Sequence, residues 1–323
     1  MQALICDEYE GIDALRVGEL PAPVPEEGSV LIEVEAVAVN FADTLMVAGQ
    51  YQLRPDPPFA PGYEVAGTVV VANKATGVSP GDRVAGFLWY GGMAERAVLR
   101  QSNLIVLPDS IGFDAAASLP GTYGTSYHAL VDRGRLQRGE RLLVLGASGG
   151  VGMAAVQIGK ALEAEVIAAV STAEKAEAVI EAGADHVIRY DETPLRDGID
   201  DKTDGEGVDV VYDPVGGEMT ELALRSTRWN GRLLVIGFAA GQIPEIPLNL
   251  PLLKGTSIVG VFWGRFTTEE PEHHQENLRQ IVEWVDEGRL DPVVQKTFPL
   301  KQGREAMHWV ADRKAIGRVV IRP

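Results

Sequence analysis

The chain has 323 residues, enough for two domains with separate cores, and its 46% apolar and 23% charged content is that of a water-soluble globular protein. The 46 acidic side chains against 29 basic ones leave a net charge of −17, which disfavours nucleic acid and anionic membranes as partners. Cys6 is the only cysteine, which excludes an intrachain disulfide and any zinc site built on several thiolates of this chain, and fits a reducing cytoplasm.

The N-terminus, Met1-Gln-Ala-Leu-Ile-Cys-Asp-Glu8, has no basic region followed by an apolar core and does not read as a signal peptide. Met1–Cys6 and Leu15–Leu20 read as short strands, the second ended by the proline-rich run Pro21–Pro25. Val30–Val39 places Val30, Ile32, Val34, Ala36 and Ala38 on one face, the period of two of a strand. An irregular stretch rich in glycine and proline follows Asn40 and runs to Gly62. Glu64–Val71, Arg83–Phe87, Met93–Leu99 and Leu104–Val106 complete a β-rich first part, with Ser79–Asp82 as a turn. Pro108-Asp-Ser110 is expected to open a helix through Ala115–Ala117.

From Tyr123 to about 263 the pattern changes to alternating strands and helices, the signature of a parallel sheet covered on both faces. Strands are expected at 141–145, 165–170, 186–188, 208–212, 232–236 and 257–262. Residues 195–207 are charged and read as a helix end and surface loop. An amphipathic helix Glu272–Glu287, a strand Val293–Phe298, a helix Gln302–Asp312 and a strand Arg318–Ile321 finish the chain. No run is long and apolar enough to span a bilayer, and the five histidines have no metal-ligand spacing.

The segment Leu142–Met153 carries the chemistry. A buried strand, Leu142–Leu145, runs into glycines at 146, 149, 150 and 152 and then into a helix dense in small apolar residues. Glycine lets the backbone approach a pyrophosphate, and the free amides of the helix N-terminus face its charge. Ser148 stands where the strict G-x-G-x-x-G pattern has its second glycine. The strand Glu165–Val170 ends in Ser171-Thr-Ala-Glu-Lys175 with no carboxylate at its tip. A ribose 2′-hydroxyl would select an acid there, whereas hydroxyls and a lysine suit a 2′-phosphate, so NADP(H) is favoured over NAD(H). A solvated helix lysine is the plainer reading of Lys175.

With Val39-Asn-Phe-Ala-Asp-Thr44, Ala48-Gly-Gln-Tyr51, Pro61-Gly-Tyr-Glu-Val-Ala-Gly67, Gly81-Asp-Arg-Val84, Gly146–Gly152, Ala182-Gly-Ala-Asp185 and Tyr212-Asp-Pro-Val-Gly-Gly217, the chain resembles the zinc-free quinone oxidoreductase branch of the medium-chain dehydrogenase/reductases, which includes zeta-crystallin. The resemblance implies an α/β protein: a Rossmann doubly wound parallel sheet, residues 122–263, inserted into a GroES-like β-barrel catalytic domain, residues 1–121 and 264–323. Zinc-containing relatives carry a cysteine and a Gly-His-Glu motif where this chain has Asn40 and Gly62-Tyr63-Glu64. By the same resemblance the NADPH contacts are Asn40, Asp43, Thr125, Ser148, Gly149, Gly150, Val151, Ser171, Lys175, Tyr190, Val215, Gly237, Phe238, Phe262 and Arg318, and Ser257–Phe262 pairs with its twin in a homodimer.

Without a metal to polarise a carbonyl, an acceptor that is already electrophilic is expected: a quinone, enone, enal or enoyl-CoA. Tyr51 is the candidate hydrogen-bond or proton donor to the developing oxyanion, and Asn40 a ribose or substrate hydrogen-bonding residue. Tyr63, Trp89, Tyr90 and Trp263 suit an aromatic wall for flat acceptors, or equally core packing. The leading expectation is an NADPH-dependent reductase of quinones or other conjugated carbonyl compounds. Its alternatives are an enoyl thioester reductase and an NADPH-binding protein of the crystallin or vesicle type with little catalysis.

Overall fold

The computed structural model describes residues 1–73 and 76–323. In chain order the strands are β1 (Gln2–Ile5), β2 (Arg16–Glu19), β3 (Ser29–Val39), β4 (Glu64–Val71), β5 (Arg83–Phe87), β6 (Arg96–Arg100), β7 (Leu104–Val106), β8 (Arg141–Leu145), β9 (Glu165–Val170), β10 (His186–Arg189), β11 (Val208–Asp213), β12 (Thr227–Val235), β13 (Ser257–Gly260), β14 (Val294–Pro299) and β15 (Arg318–Arg322). They fall into two compact units, one of Met1–Gly124, Thr267–Gly288 and Pro292–Pro323, the other of Thr125–Phe266 with Arg289–Asp291.

The first unit is built on a mixed sheet in the order β14-β15-β3-β4-β5-β7, with β6 also paired to β3. In β3 the expected alternation holds where one face meets water: Glu33 and Glu35 are exposed while Ile32, Val34 and Ala36 are buried. From Val37 to Val39 both faces are buried, and β15 pairs antiparallel with the edge of this end (Val319 opposite Val39). Residues near the two ends of the chain thus share one sheet. Leu4, Val30, Met46, Phe59, Met93, Phe298 and Met307 belong to one apolar cluster of this unit.

The second unit is a six-stranded sheet in the order β10-β9-β8-β11-β12-β13, and every pairing in it is parallel. The order reverses between β8 and β11, the place where a doubly wound sheet opens a crevice at its strand C-termini. Val144, Ala168, Val211 and Leu233 are buried in its strands. Asp185, from the Ala182-Gly-Ala-Asp motif, accepts from Val166 N at 2.8 Å and from Lys160 Nζ at 2.7 Å, tying the start of β9 to the helix before it. Among the described residues no helix is long and apolar enough to cross a membrane.

Three segments differ from the sequence reading. The helix expected to open at Pro108 starts only at Phe113, with Gly112 in extended conformation as its cap, and runs to Ala116. Leu195–Thr203 is a helix, not a helix end and loop, because Leu195, Ile199 and Thr203 form a buried stripe at i, i+4 and i+8 beneath a charged outer face. Phe41–Val47 is also a helix, inside the stretch read as irregular. Asp43, in the first turn, accepts from Asn40 N at 2.8 Å, the carboxylate arm of a capping box, so a four-residue polar pattern nucleates a helix that composition hides.

Candidate active site

In the parallel-sheet unit the predicted ligand loops all lie at the carboxyl ends of strands. β8 runs into Gly146, whose φ of 57° is left-handed and whose missing Cβ would stand 2.9 Å from Val215 Cγ2. A Cβ on Gly152 would come within 2.3 Å of the Gly146 carbonyl oxygen, so only glycine lets the helix Gly150–Ala161 start this close to the strand. Gly149 caps that helix with no side-chain hydrogen bond, which leaves the first-turn amides to a ligand. This is a cradle with the shape and polarity a pyrophosphate needs. Beneath it, Ser126 Oγ donates to the Val151 carbonyl at 2.9 Å and lies 2.8 Å from the Tyr212 hydroxyl. The sequence signals neither brace: Ser126 has no motif around it, and Tyr212 stands out only as the first residue of a longer one.

At the tip of β9, Lys175 Nζ donates back to Ser171 Oγ at 3.5 Å. The turn is set by Thr172, whose hydroxyl accepts from Lys175 N at 3.3 Å and caps the helix Ala173–Glu181. Tyr190 N donates to Val170 O at 3.1 Å, which brings Tyr190 to the same strand tip, while Glu174 is exposed. A hydroxyl and an ammonium therefore meet at this strand tip, with the Tyr190 backbone bonded to the last residue of β9.

The turn after β11 is shaped by Asp213. It is 2% exposed and accepts from Val215 N and Gly216 N, each at 2.9 Å, and from Thr220 Oγ1 at 2.6 Å. Ala239 N and Ala240 N then bond to Pro214 O and Val215 O, bringing Gly237 and Phe238 beside Val215. Asp213 is thus a loop-former with its oxygens occupied. Thr125 and Val151 are half-buried, Ser148 is buried, and Phe238 and Phe262 are exposed.

The first unit holds a second cluster, made of charge. Glu64 is wholly buried at the start of β4, and its carboxylate receives five donors. Oε1 accepts from Asn40 Nδ2 at 2.8 Å, Thr122 Oγ1 at 2.7 Å and Arg318 Nη2 at 2.6 Å. Oε2 accepts from the amides of Gly121 and Thr122, both at 2.9 Å. A Cβ on Gly121 would meet Glu64 Oε2 at 2.7 Å, so a glycine is required there. Arg318 Nη1 donates to Asn40 Oδ1 at 3.0 Å, and its Nε is buried with no hydrogen-bond partner among the described residues.

Asn40 is committed inside this cluster. Its Nδ2 donates to Ala38 O and Glu64 Oε1, and its Oδ1 accepts from Arg318, so contact with a ribose or an acceptor would cost one of these bonds. Asp43 differs from the expectation of direct contact. It has no exposed surface, and its oxygens accept from Asn40 N at 2.8 Å and Gly62 N at 3.1 Å. Burial pushes its carboxyl up to about 7, against the pull of those two amides. Burial, then the charge of Asp43, raises the Tyr51 phenol, which stays protonated and available as a donor.

These residues do not fit a zinc ion. Glu64 is saturated by donors, the Asn40 amide is spent, and Cys6 is buried with its thiol on Glu8 O. Among the described residues no group of three or more His, Cys, Asp or Glu could hold a metal.

A family model described as zinc-binding dehydrogenase matches residues 150–286, and one described as alcohol dehydrogenase GroES-like domain matches residues 26–109. The quinone oxidoreductase-like protein 2 of Bos taurus is 37% identical over 304 residues, 93% of this chain and 86% of the relative. The quinone oxidoreductase of Homo sapiens is 32% identical over 309 residues, covering 95% and 92%. The crystal structure of Escherichia coli quinone oxidoreductase complexed with NADPH aligns over 100% of both chains with a TM-score of 0.91 at 27% identity.

Proposed function

The chain belongs to the quinone oxidoreductase branch of the medium-chain dehydrogenase/reductase superfamily, and from that premise we propose that it is an NADPH-dependent reductase of quinones or other conjugated carbonyl compounds, working by hydride transfer without a metal. The observation that carries the reading is the pair Asn40 and Tyr63, which stand where zinc-containing relatives carry a cysteine and a histidine, with the Asn40 amide held by Glu64 and Arg318. A site without a Lewis acid requires an acceptor whose own conjugation spreads the arriving charge.

The cofactor, when bound, supplies the hydride. The amides of Gly150 and Val151 with Ser148 and Gly149 take its pyrophosphate, and Ser171 and Lys175 take the 2′-phosphate beside Tyr190. Thr125, Val215, Gly237, Phe238 and Phe262 complete its contacts in the parallel-sheet unit. Arg318 offers its spare Nε–H, and Asn40 and Asp43 act by holding Arg318, Glu64 and Gly62 in place. Tyr51 donates a hydrogen bond or proton to the acceptor oxygen as charge develops there. The protein works as a homodimer in the cytoplasm. β13 is an edge strand, and exposed Ile258, Leu252, Leu253 and Trp229 lie on or beside it, a surface suited to pairing with a second copy.

Purified protein given NADPH and, separately, a naphthoquinone, an alkenal and a short enoyl-CoA should oxidise NADPH with the first or second. Turnover of the thioester alone would move the chain to acyl metabolism. NADPH binding with no turnover of any acceptor would sink the reductase reading. Lys175→Ala should weaken NADPH at least tenfold more than NADH, read by calorimetry, and equal losses would overturn the 2′-phosphate assignment.

A further inference from the structure

Tyr51 stands on a loop with few attachments of its own. Residues 51–58 form neither helix nor strand, and three of these eight, Pro55, Pro57 and Pro58, have no N–H to donate. Backbone bonds hold the flanks. Gln50 N donates to Leu45 O at 2.8 Å, Cys6 N to Phe59 O at 2.8 Å and Phe59 N to Cys6 O at 3.1 Å. Between those flanks, among the described residues, a single hydrogen bond joins the loop to another part of the chain. It runs from the Tyr9 hydroxyl to the Pro55 carbonyl.

Tyr9 is itself firmly seated. Its ring meets Phe59 with centroids 6.0 Å apart. It also crowds Gly49, where a Cβ would stand 3.2 Å from Tyr9 Cβ and 3.3 Å from its Cγ. The φ of 64° at Gly49 favours glycine as well, so the backbone turns sharply beneath the ring just before the loop begins. Two residues beyond Tyr9, Gly11 N donates to Val47 O at 3.1 Å and fastens the same segment to the end of the helix Phe41–Val47. Tyr9, Tyr51 and Leu53 are partly buried against the apolar cluster that contains Met46, Val47 and Phe59. Segment 6–11 thus brackets the loop at its start, its middle and its end, and only the middle contact depends on a side-chain oxygen.

We propose that Tyr9 is a positioning residue: its hydroxyl pins the loop 51–58 and so fixes where Tyr51 presents its phenol to the acceptor. This rests on the reading of Tyr51 as the donor to the acceptor oxygen. A donor must be held closely to meet a developing oxyanion, and a displacement of about 1 Å can cost about a hundredfold in rate. The charge it meets exists only in the transition state. A loosened loop therefore lowers kcat and spares KM.

The test uses the full chain with NADPH and, separately, menadione (a naphthoquinone) and a short alkenal, in wild type, Tyr9→Phe, Tyr51→Phe and the double variant. Tyr9→Phe keeps the ring contacts with Phe59 and Gly49 and removes only the pin, so its thermal melt should stay close to wild type. Its kcat should fall about five- to tenfold with each acceptor that is turned over, with KM values unchanged. In the Tyr51→Phe background the same change should cost less than about twofold, because no phenol is left to misplace. Chymotrypsin, which cuts after tyrosine and leucine, should cleave at Tyr51 and Leu53 several-fold faster in Tyr9→Phe.

A Tyr9→Phe variant with wild-type kcat overturns the proposal, as does a loss of equal size with and without Tyr51. So does a cleavage rate that the substitution leaves unchanged. If Tyr51→Phe is as fast as wild type, the donor reading falls, and faster cleavage in Tyr9→Phe leaves the pin standing without it. Faster cleavage in a protein that turns over no acceptor overturns the reductase reading and again leaves the pin standing.

Discussion

The two units solve the problem of holding charge in opposite ways. The parallel-sheet unit presents backbone: glycines at 146, 149, 150 and 152 clear space, and unpaired helix amides supply partial charge without burying an ionised group. The first unit buries full charges, with Glu64 at 0% and Arg318 at 5% exposure, and stabilises them by five donors on one carboxylate. The backbone device stands ready whenever the local fold forms. The charged device is rigid only while every partner is present, since a buried charge that loses its partner is far more costly than one never buried. A cofactor pocket built from amides therefore tolerates neighbours, whereas the cluster around Glu64 does not.

The largest test of this contrast is Glu64→Gln. It strands the Arg318 cation and should lower folding stability by about 3–5 kcal/mol, measured by urea denaturation. The double variant Glu64→Gln with Arg318→Met should recover much of that, and a double variant as unstable as the sum of the singles would show that the two residues are not coupled.

Asp43 gives the contrast a pH axis. Its folded value, raised to about 7 from an ordinary 3.8, means that folding favours the protonated carboxyl. The associated stability is fully present below about pH 4 and is lost as pH rises through about 7, on the order of a few kcal/mol. Asp43→Asn should flatten that part of the stability–pH curve, and a variant with the wild-type slope would assign the slope to other groups.

On the backbone side, Gly152→Ala sets a Cβ against the Gly146 carbonyl and should cost about 1–3 kcal/mol of stability with loss of measurable NADPH binding by calorimetry. Unchanged binding would mean that the turn is less tightly specified than its geometry implies. The smallest effect is expected at Thr172→Ala. It removes one exposed helix cap and should lower stability by about 1 kcal/mol with little change at the Glu64 cluster, read from thermal melts.

The same contrast explains what could be read in advance. The glycine turn, the strand β9 and the Ser171–Lys175 tip are local patterns, and β9 begins and ends at the residues the periodicity predicts. Gly62-Tyr63-Glu64 stands out as a motif lacking a metal ligand, yet nothing nearby in the sequence marks Thr122 or Arg318 as partners of Glu64. Those pairings depend on β15 reaching β3 and on Gly121 approaching the carboxylate, which are properties of the tertiary fold. The helix Phe41–Val47 is hidden for a different reason: its signal is one arm of a capping box in a stretch of glycines and prolines. Leu195–Thr203 is hidden because its buried stripe is three residues among six polar or small ones.

Arg318 and Glu64 are 254 residues apart in the chain, and the interval contains the whole of Thr125–Phe266. On a ribosome, Glu64 emerges long before its cation, and closing so large a loop is slow compared with local helix and strand formation. The inserted unit, with its partners all at hand, is free to fold while the surrounding one waits with a solvated carboxylate. The order of assembly is thereby written into the position of a single arginine, and a nascent chain stalled between Asp291 and Arg318 holds every residue of the second unit while the first still lacks its cation.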